Sequence, residues 1–263
     1  HHSRTKSPRV RFSGTSQPSN GHFRFLKFKP EISKKRFEGM VKKTKSYIEA
    51  GDIYQANLSQ RFSFEFDGSP LKLYDRLRKT NPSPFSAVLH LNDLFIASSS
   101  PELLLSKKGK TCVTRPIAGT RPRGRRPGEM RRQSRELFAS EKERAEHLML
   151  VDLERNDLGR VSEWKSVQVE DFMRLERYAR VIHIVSEIKG RLRAGKDAWD
   201  TIQAMFPGGT ITGCPKIRSM EIIDELEPVR RGIYTGSLGY VGFNGDAMLN
   251  IVIRTLVLRE RQG

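Results

Sequence analysis

Two very short connections constrain this chain more than any other feature. AVLHL and LFIASSS are separated by Asn92-Asp93, and LLLSKKGKTCVTR reverses near Lys108-Gly109. A two-residue link has no room for a crossover helix, so the strands it joins must pair antiparallel. The other segments alternate on connections of similar size. Residues 33–50 carry a helical pattern stopped by Gly51. IYQANLSQRFSFEF, with Phe62, Phe64 and Phe66 alternating, reads as a strand turned at Asp67-Gly68, and SPLKLYDRLRKT as a short helix. Residues from about 128 to 157 read as one long helix closed by Gly159. VSEWKSVQVEDFMRL and ARVIHIVSEIKGRL are strand-like, DAWDTIQAMF is helical, and PGGTITG leads into a helix over CPKIRSMEIIDELE. GIYTGSLGYVGF and AMLNIVIRTLVL close the chain as an antiparallel pair. The pattern predicts an α+β fold of antiparallel β-sheets packed with outer helices, not a doubly wound parallel sheet. Residues 1–22 are rich in Ser, Pro, Arg and Gly without a period. They read as a flexible basic leader, with His1-His2 a tag remnant, ahead of one domain over 23–263.

Composition narrows the function classes. No apolar run reaches the roughly 18 residues of a membrane span, and the opening HHSRTKSPRV has no apolar signal region. Two cysteines, Cys112 and Cys214, do not make a disulfide framework, so a cytoplasmic location is expected. The net charge of +18 and a pI near 10.2 suit either nucleic acid or a small polyanion. Arg121, Arg123, Arg125, Arg126, Arg131, Arg132 and Arg135 cluster in one segment. Zinc-finger spacing, an RNP-like strand and an aromatic-basic stripe are all missing, so no nucleic-acid partner is expected. A non-catalytic anion- or nucleic-acid-binding protein remains the alternative from another class.

Several residues are candidates for chemistry. RPIAGTRPRG reads as a tight apolar turn between cations. Lys216 falls in the first turn of a helix, where a cation opposes the macrodipole unless an anion binds beside it; the alternative is a solvated lysine. Arg254 shares a strand face with Val252 and Leu256, so its guanidinium needs a carboxylate, from a ligand or from a local Asp or Glu. His183 lies on a face with Val181 and Val185, as a site residue or a satisfied core histidine. Tyr234 is core or offers its hydroxyl to a ligand. Glu146 falls on a helix face with Met149, Leu150 and Leu153, where a carboxylate needs an arginine or a magnesium ion. Glu102, after SSSP, is a general acid or base tuned by burial, or an ordinary loop carboxylate. There is no Walker A loop, no GxGxxG after a strand and no nucleophile elbow.

SSSPELLL, RPIAGTRPRG, ERAEHLMLVDLERNDLGRV, RYARVIHIVSEIKG, TITGCPKIRSMEIIDELEPVRRGIYTGSLGY and NIVIRTL occur in this order. From Phe37 to Leu258 the chain resembles the chorismate-utilising enzymes, which include the first components of anthranilate and aminodeoxychorismate synthases and the isochorismate and salicylate synthases. The resemblance implies roles. Glu102 is the general acid/base near the ring hydroxyl, Glu146 a magnesium ligand and His183 the pocket histidine. Tyr234 and Arg254 grip the enolpyruvyl carboxylate, while Gly119, Thr120, Thr212 and Lys216 line the same pocket. It implies Mg2+ as cofactor, chorismate as substrate and a glutamine amidotransferase subunit as ammonia donor. TITGCPK, MEIIDELEP and YTGSLGY are more similar to the aminodeoxychorismate branch than to the anthranilate branch. Ala118 points the other way: some aminodeoxychorismate synthases carry lysine there, whereas anthranilate synthases carry alanine. Relatives have a larger N-terminal region, a further C-terminal loop and helix with another magnesium-ligand glutamate, and Asp where Met248 stands. The resemblance therefore implies a chorismate-binding catalytic domain over 23–263, truncated at both ends.

Overall fold

The computed structural model describes residues 23–124 and 126–259. The leader, Arg125 and residues 260–263 lie outside them. Strand β1 is Arg24–Pro30, helix α1 Lys34–Glu49, β2 Gln55–Ala56, β3 Phe62–Asp67, α2 Pro70–Thr80, β4 Phe85–Leu91 and β5 Leu94–Ser100. Next come β6 Leu103–Lys108, β7 Thr111–Arg115, β8 Ile117–Pro122, α3 Pro127–Ala139, α4 Glu141–Gly159, β9 Gln168–Arg177 and β10 Val181–Arg191. The chain continues through α5 Ala198–Met205, a 3-10 turn Gly209–Ile211, β11 Gly213–Cys214, α6 Lys216–Leu226, β12 Ser237–Val241, β13 Ala247–Ile251 and β14 Thr255–Arg259.

The α+β class holds, and every strand pairing is antiparallel. A seven-stranded sheet runs β12-β13-β6-β7-β10-β8, with β9 on the other edge of β10. A three-stranded sheet runs β14-β5-β4, and β1 pairs β3 while β2 pairs β11. Both tight links behave as expected: β4 pairs β5, and β6 pairs β7. The main core lies between the large sheet and α4 and α5, with Leu104, Leu105, Val151, Leu158, Ile188, Met205 and Ile251 buried. A second core, Phe66, Leu73, Phe95, Ala97 and Leu258, lies under the three-stranded sheet.

Four expectations change. The long helix is two, because Ser140 leaves helical geometry and its hydroxyl accepts from the Glu143 N–H, capping α4. The apolar stripe of α4 is His147, Leu150, Val151, Leu153, Leu158 together with Glu154 and Asp157, so Glu146 sits at its margin, half-buried. On α6 the apolar periodicity of Ile217, Met220, Ile223 and Leu226 predicts the buried face, but Ile217 is exposed and Ser219, Ile222 and Ile223 are buried.

The fourth concerns RPIAGTRPRG, which is a strand and not a turn. Pro116 interrupts the ladder between β7 and β8, but both run along β10. His183 faces Thr120 and Ile184 faces Ala118, which leaves Gly119 as the extra residue of a β-bulge with φ of 73°. A Cβ there would meet Glu143 Oε2 and Leu137 Cδ1, each at 3.0 Å. Gly119→Ala is expected to cost on the order of 1–3 kcal/mol through strain and crowding together, read as a lower denaturant midpoint at unchanged slope.

Candidate active site

The bulge re-aims its neighbours onto His183, which is 2 % exposed. His183 Nδ1 lies 2.9 Å from Thr120 Oγ1 and 3.3 Å from the Gly119 carbonyl. A carbonyl only accepts, so Nδ1 carries the proton. Nε2 is then the acceptor, and it faces the Arg254 Nη2–H at 3.3 Å. Burial holds the His183 pKa below the usual range, with Arg254 adding to the effect and the Gly119 carbonyl opposing it. The result is a neutral imidazole linking a strand to an arginine.

Glu102 sits between β5 and β6, locked at its backbone: its N–H donates to Ser100 Oγ at 3.2 Å and its carbonyl accepts from the Ile251 N–H at 3.1 Å. Its side chain is 3 % exposed, and Oε1 accepts from the Ile117 N–H at 3.3 Å, next to the bulge. Burial pushes its pKa up to about 7; Thr210, Ile117 and Arg254 oppose that and Glu154 reinforces it. A carboxyl poised there can give or take a proton near neutral pH.

Arg254 is not on an apolar strand face. It occupies the bend between β13 and β14 with φ of 51° and is exposed. β13 ends because the chain must pass from the large sheet to the small one, and the bend frees the guanidinium to reach His183. Tyr234 is 39 % exposed, with the Arg231 guanidinium 6.0 Å from its ring centre. Burial and Glu227 raise its pKa, while Arg231 lowers it. Glu102, Gly119, Thr120, His183 and Arg254 thus come together, whereas Tyr234 engages Arg231.

Lys216 does not wait for an external anion. Its ammonium pairs with Asp157 of α4 and lies 3.4 Å from the Met205 carbonyl. Thr212 is buried and donates from Oγ1 to the Gly208 carbonyl at 2.9 Å, so it shapes the 209–211 turn. Glu146 Oε1 accepts from Gln55 Nε2 at 3.2 Å. Among the described residues no three or more His, Cys, Asp or Glu side chains are grouped so as to hold a metal ion. Glu146 would offer a magnesium ion one carboxylate donor here, an oxygen ligand of the type that ion takes.

Sequence reasoning missed Glu154, Asp157 and Thr210. It also missed the group beside His183, in which Arg115 pairs with Glu176 and Glu187 and Tyr178 donates to Glu176 Oε2 at 2.7 Å. Following α4 at positions 147, 150, 151, 154 and 158 would have exposed Glu154 as a carboxylate on the buried stripe.

A family model described as chorismate binding enzyme matches residues 2–263. The chain belongs to the chorismate binding enzymes. It is 57 % identical over 220 residues to aminodeoxychorismate synthase component 1 of Bacillus subtilis, covering 84 % of this chain and 47 % of that protein. It is 52 % identical over 237 residues to anthranilate synthase component 1 of Aquifex aeolicus, covering 90 % and 48 %. The crystal structure of anthranilate synthase component I from Streptococcus pneumoniae superimposes with a TM-score of 0.84 at 44 % identity, covering 90 % of this chain and 52 % of that one. The chain spans about half the length of the curated relatives it matches. No described helix is long and apolar enough to cross a membrane.

As a chorismate binding enzyme the chain carries a buried Glu102 with a testable signature. Its raised pKa means the folded protein binds more protons than the unfolded one between about 4.5 and about 7. The stabilisation linked to it is complete below that window and is lost as pH rises through about 7. Glu102→Gln stays neutral throughout. The stability of the variant relative to the parent is expected to rise by on the order of 1–3 kcal/mol between about pH 5 and about pH 8. Parallel denaturation midpoints over that range would refute the buried, protonatable carboxyl.

Proposed function

We propose that this chain is the chorismate-acting part of an aminodeoxychorismate synthase component 1. The reaction is replacement of the 4-hydroxyl of chorismate by an amino group, giving 4-amino-4-deoxychorismate on the way to p-aminobenzoate and folate. One observation carries the reading: a buried Glu102, its pKa pushed up to about 7, and a neutral His183 both interact with Arg254, in a member of the chorismate binding enzymes. Glu102 in its protonated form gives a proton to the ring hydroxyl, which leaves as water. His183 keeps an acceptor toward Arg254, and Arg254 holds a substrate carboxylate. Glu146 would hold magnesium, whose positive charge neutralises a substrate carboxylate. Ammonia reaches the site from a glutamine amidotransferase, a reading supported by the designation "component 1" carried by the similar proteins.

A second reading is anthranilate synthase. Ala118, 6 % exposed on β8, offers no nucleophile for a covalent ring adduct, and several similar proteins carry that name. Incubation with chorismate, magnesium and ammonium separates the two. The expected product is 4-amino-4-deoxychorismate, whereas anthranilate fluorescence without an added lyase selects the second reading. No turnover, together with steeply salt-dependent nucleic-acid binding, would select the non-catalytic alternative. Glu146→Gln is expected to raise the magnesium concentration for half-maximal rate about tenfold or more. An unchanged magnesium titration would remove Glu146 from the metal site.

A further inference from the structure

Tyr178 lies half-buried where β9 turns into β10. No part of the proposed chemistry uses it. Its backbone is fixed on both sides: the N–H donates to the Val181 carbonyl at 2.8 Å, closing the hairpin, and the carbonyl accepts from Arg123 Nη1 at 3.2 Å. Any residue but proline supplies those two bonds. What tyrosine adds is a ring and a hydroxyl. The ring lies against His183, with the ring centres 5.3 Å apart and the planes at 64°. This is the edge-to-face arrangement that aromatic pairs prefer over a flat sandwich.

The hydroxyl tethers the ring. It donates to Glu176 Oε2 at 2.7 Å, and Glu176 sits directly across the β9–β10 ladder from His183. The other oxygen, Oε1, accepts from Arg174 Nη2 at 2.6 Å and from Arg115 of β7. Arg115 also pairs through Nε with Glu187 at 3.4 Å. Burial works to raise the Glu176 pKa, but Arg174, Tyr178 and Arg115 hold it below the usual carboxylate range. Burial and that carboxylate raise the Tyr178 pKa, so its hydroxyl stays a donor through neutral pH. On its Nε2 side His183 meets Arg254, an exposed residue 3.3 Å away. The torsion that turns an imidazole is broad and roughly two-fold, so packing has to choose between its orientations.

We propose that Tyr178 is a positioning residue for His183: its ring, tethered through the hydroxyl to Glu176, packs against the imidazole and keeps Nδ1 on Thr120 and Gly119 and Nε2 toward Arg254. A half-turn of the ring would put a C–H where Arg254 finds an acceptor, and another where the Gly119 carbonyl finds a donor. Three titratable or charged groups bear on His183 among the described residues. Arg254 comes from the bend between β13 and β14, and Glu176 and Tyr178 from β9 and the turn after it. Arg115 and Arg174 act on the imidazole through Glu176.

The test is 15N NMR of protein labelled at histidine, at about pH 8 where imidazoles are neutral, with the His183 signals assigned by their loss in His183→Asn. The parent is expected to show the Nδ1–H tautomer, its two ring-nitrogen shifts far apart; a parent in the Nε2–H form or in a mixture overturns the proposal. Tyr178→Leu keeps both backbone bonds and removes the ring. It is expected to raise the minor tautomer about threefold or more, drawing the two shifts together. Tyr178→Phe keeps the ring without its tether and is expected to give a smaller change in the same direction. Glu176→Ala is expected to match it and to add nothing when the two are combined. Unchanged shifts in Tyr178→Leu overturn the positioning role. Should that variant fail to fold, unchanged shifts in Tyr178→Phe overturn it as well. A Glu176→Ala effect that persists in full beside Tyr178→Phe overturns the tether. These shifts are independent of the reaction. The kinetic companion rests on the proposed function: Tyr178→Leu is expected to lower kcat for chorismate about tenfold at KM within about twofold of the parent, and Tyr178→Phe to recover most of the loss. Loss of Tm with shifts and kcat unchanged marks a purely structural residue and overturns the proposal. A parent without chorismate turnover overturns the functional reading, and the nitrogen shifts then decide the role of Tyr178.

Discussion

Strand β10 is the element on which the site depends. It pairs with β9 along one edge and with β7 and then β8 along the other. Those ladders leave its middle buried, with Ile182, Ile184, Val185 and Ile188 in the core and His183 among them. The strand opposite cannot follow it without a break. Pro116 has no N–H to give, and Gly119 adds a residue that only a left-handed backbone accommodates. The irregularity occurs where two polar atoms, the Thr120 hydroxyl and the Gly119 carbonyl, must converge on one imidazole nitrogen. A regular ladder would have engaged that carbonyl in sheet pairing.

Around this strand the protein buries several carboxylates. Glu102, Glu154 and Asp157 are each below 5 % exposed, and burial raises the pKa of all three. Lys216 pairs with Asp157 and also bears on Glu154. Charge is compensated at one end of the series, whereas Glu102 meets only neutral donors and the more distant Arg254. Burial and the Glu154 charge keep the Glu102 carboxyl protonatable. A direct ion pair at Glu102 would have lowered its pKa and removed that capacity.

Much of this was readable from local pattern. The hairpins at Asn92-Asp93 and Lys108-Gly109 followed from connection length, and helix α1 from its cap and Gly51, because each rests on contacts a few residues apart. Glu102 and His183 stood out as polar residues beside apolar runs. Arg254 was misplaced because AMLNIVIRTLVL is nearly all apolar, and nothing local marks a strand that changes sheets at residues 252–254. RPIAGTRPRG was misread as a turn because proline and glycine punctuate turns and bulges alike.

The sequence alone determined the antiparallel α+β class and the motifs that place the chain among the chorismate binding enzymes. Only the tertiary structure decided the partners of the polar residues: Lys216 with Asp157, Arg254 with His183, Glu154 with Gly209. Those pairs join residues far apart in the chain, and each forms because a buried donor or charge takes whatever acceptor packing brings within reach. Periodicity records which side of an element is buried, but not what lies across from it.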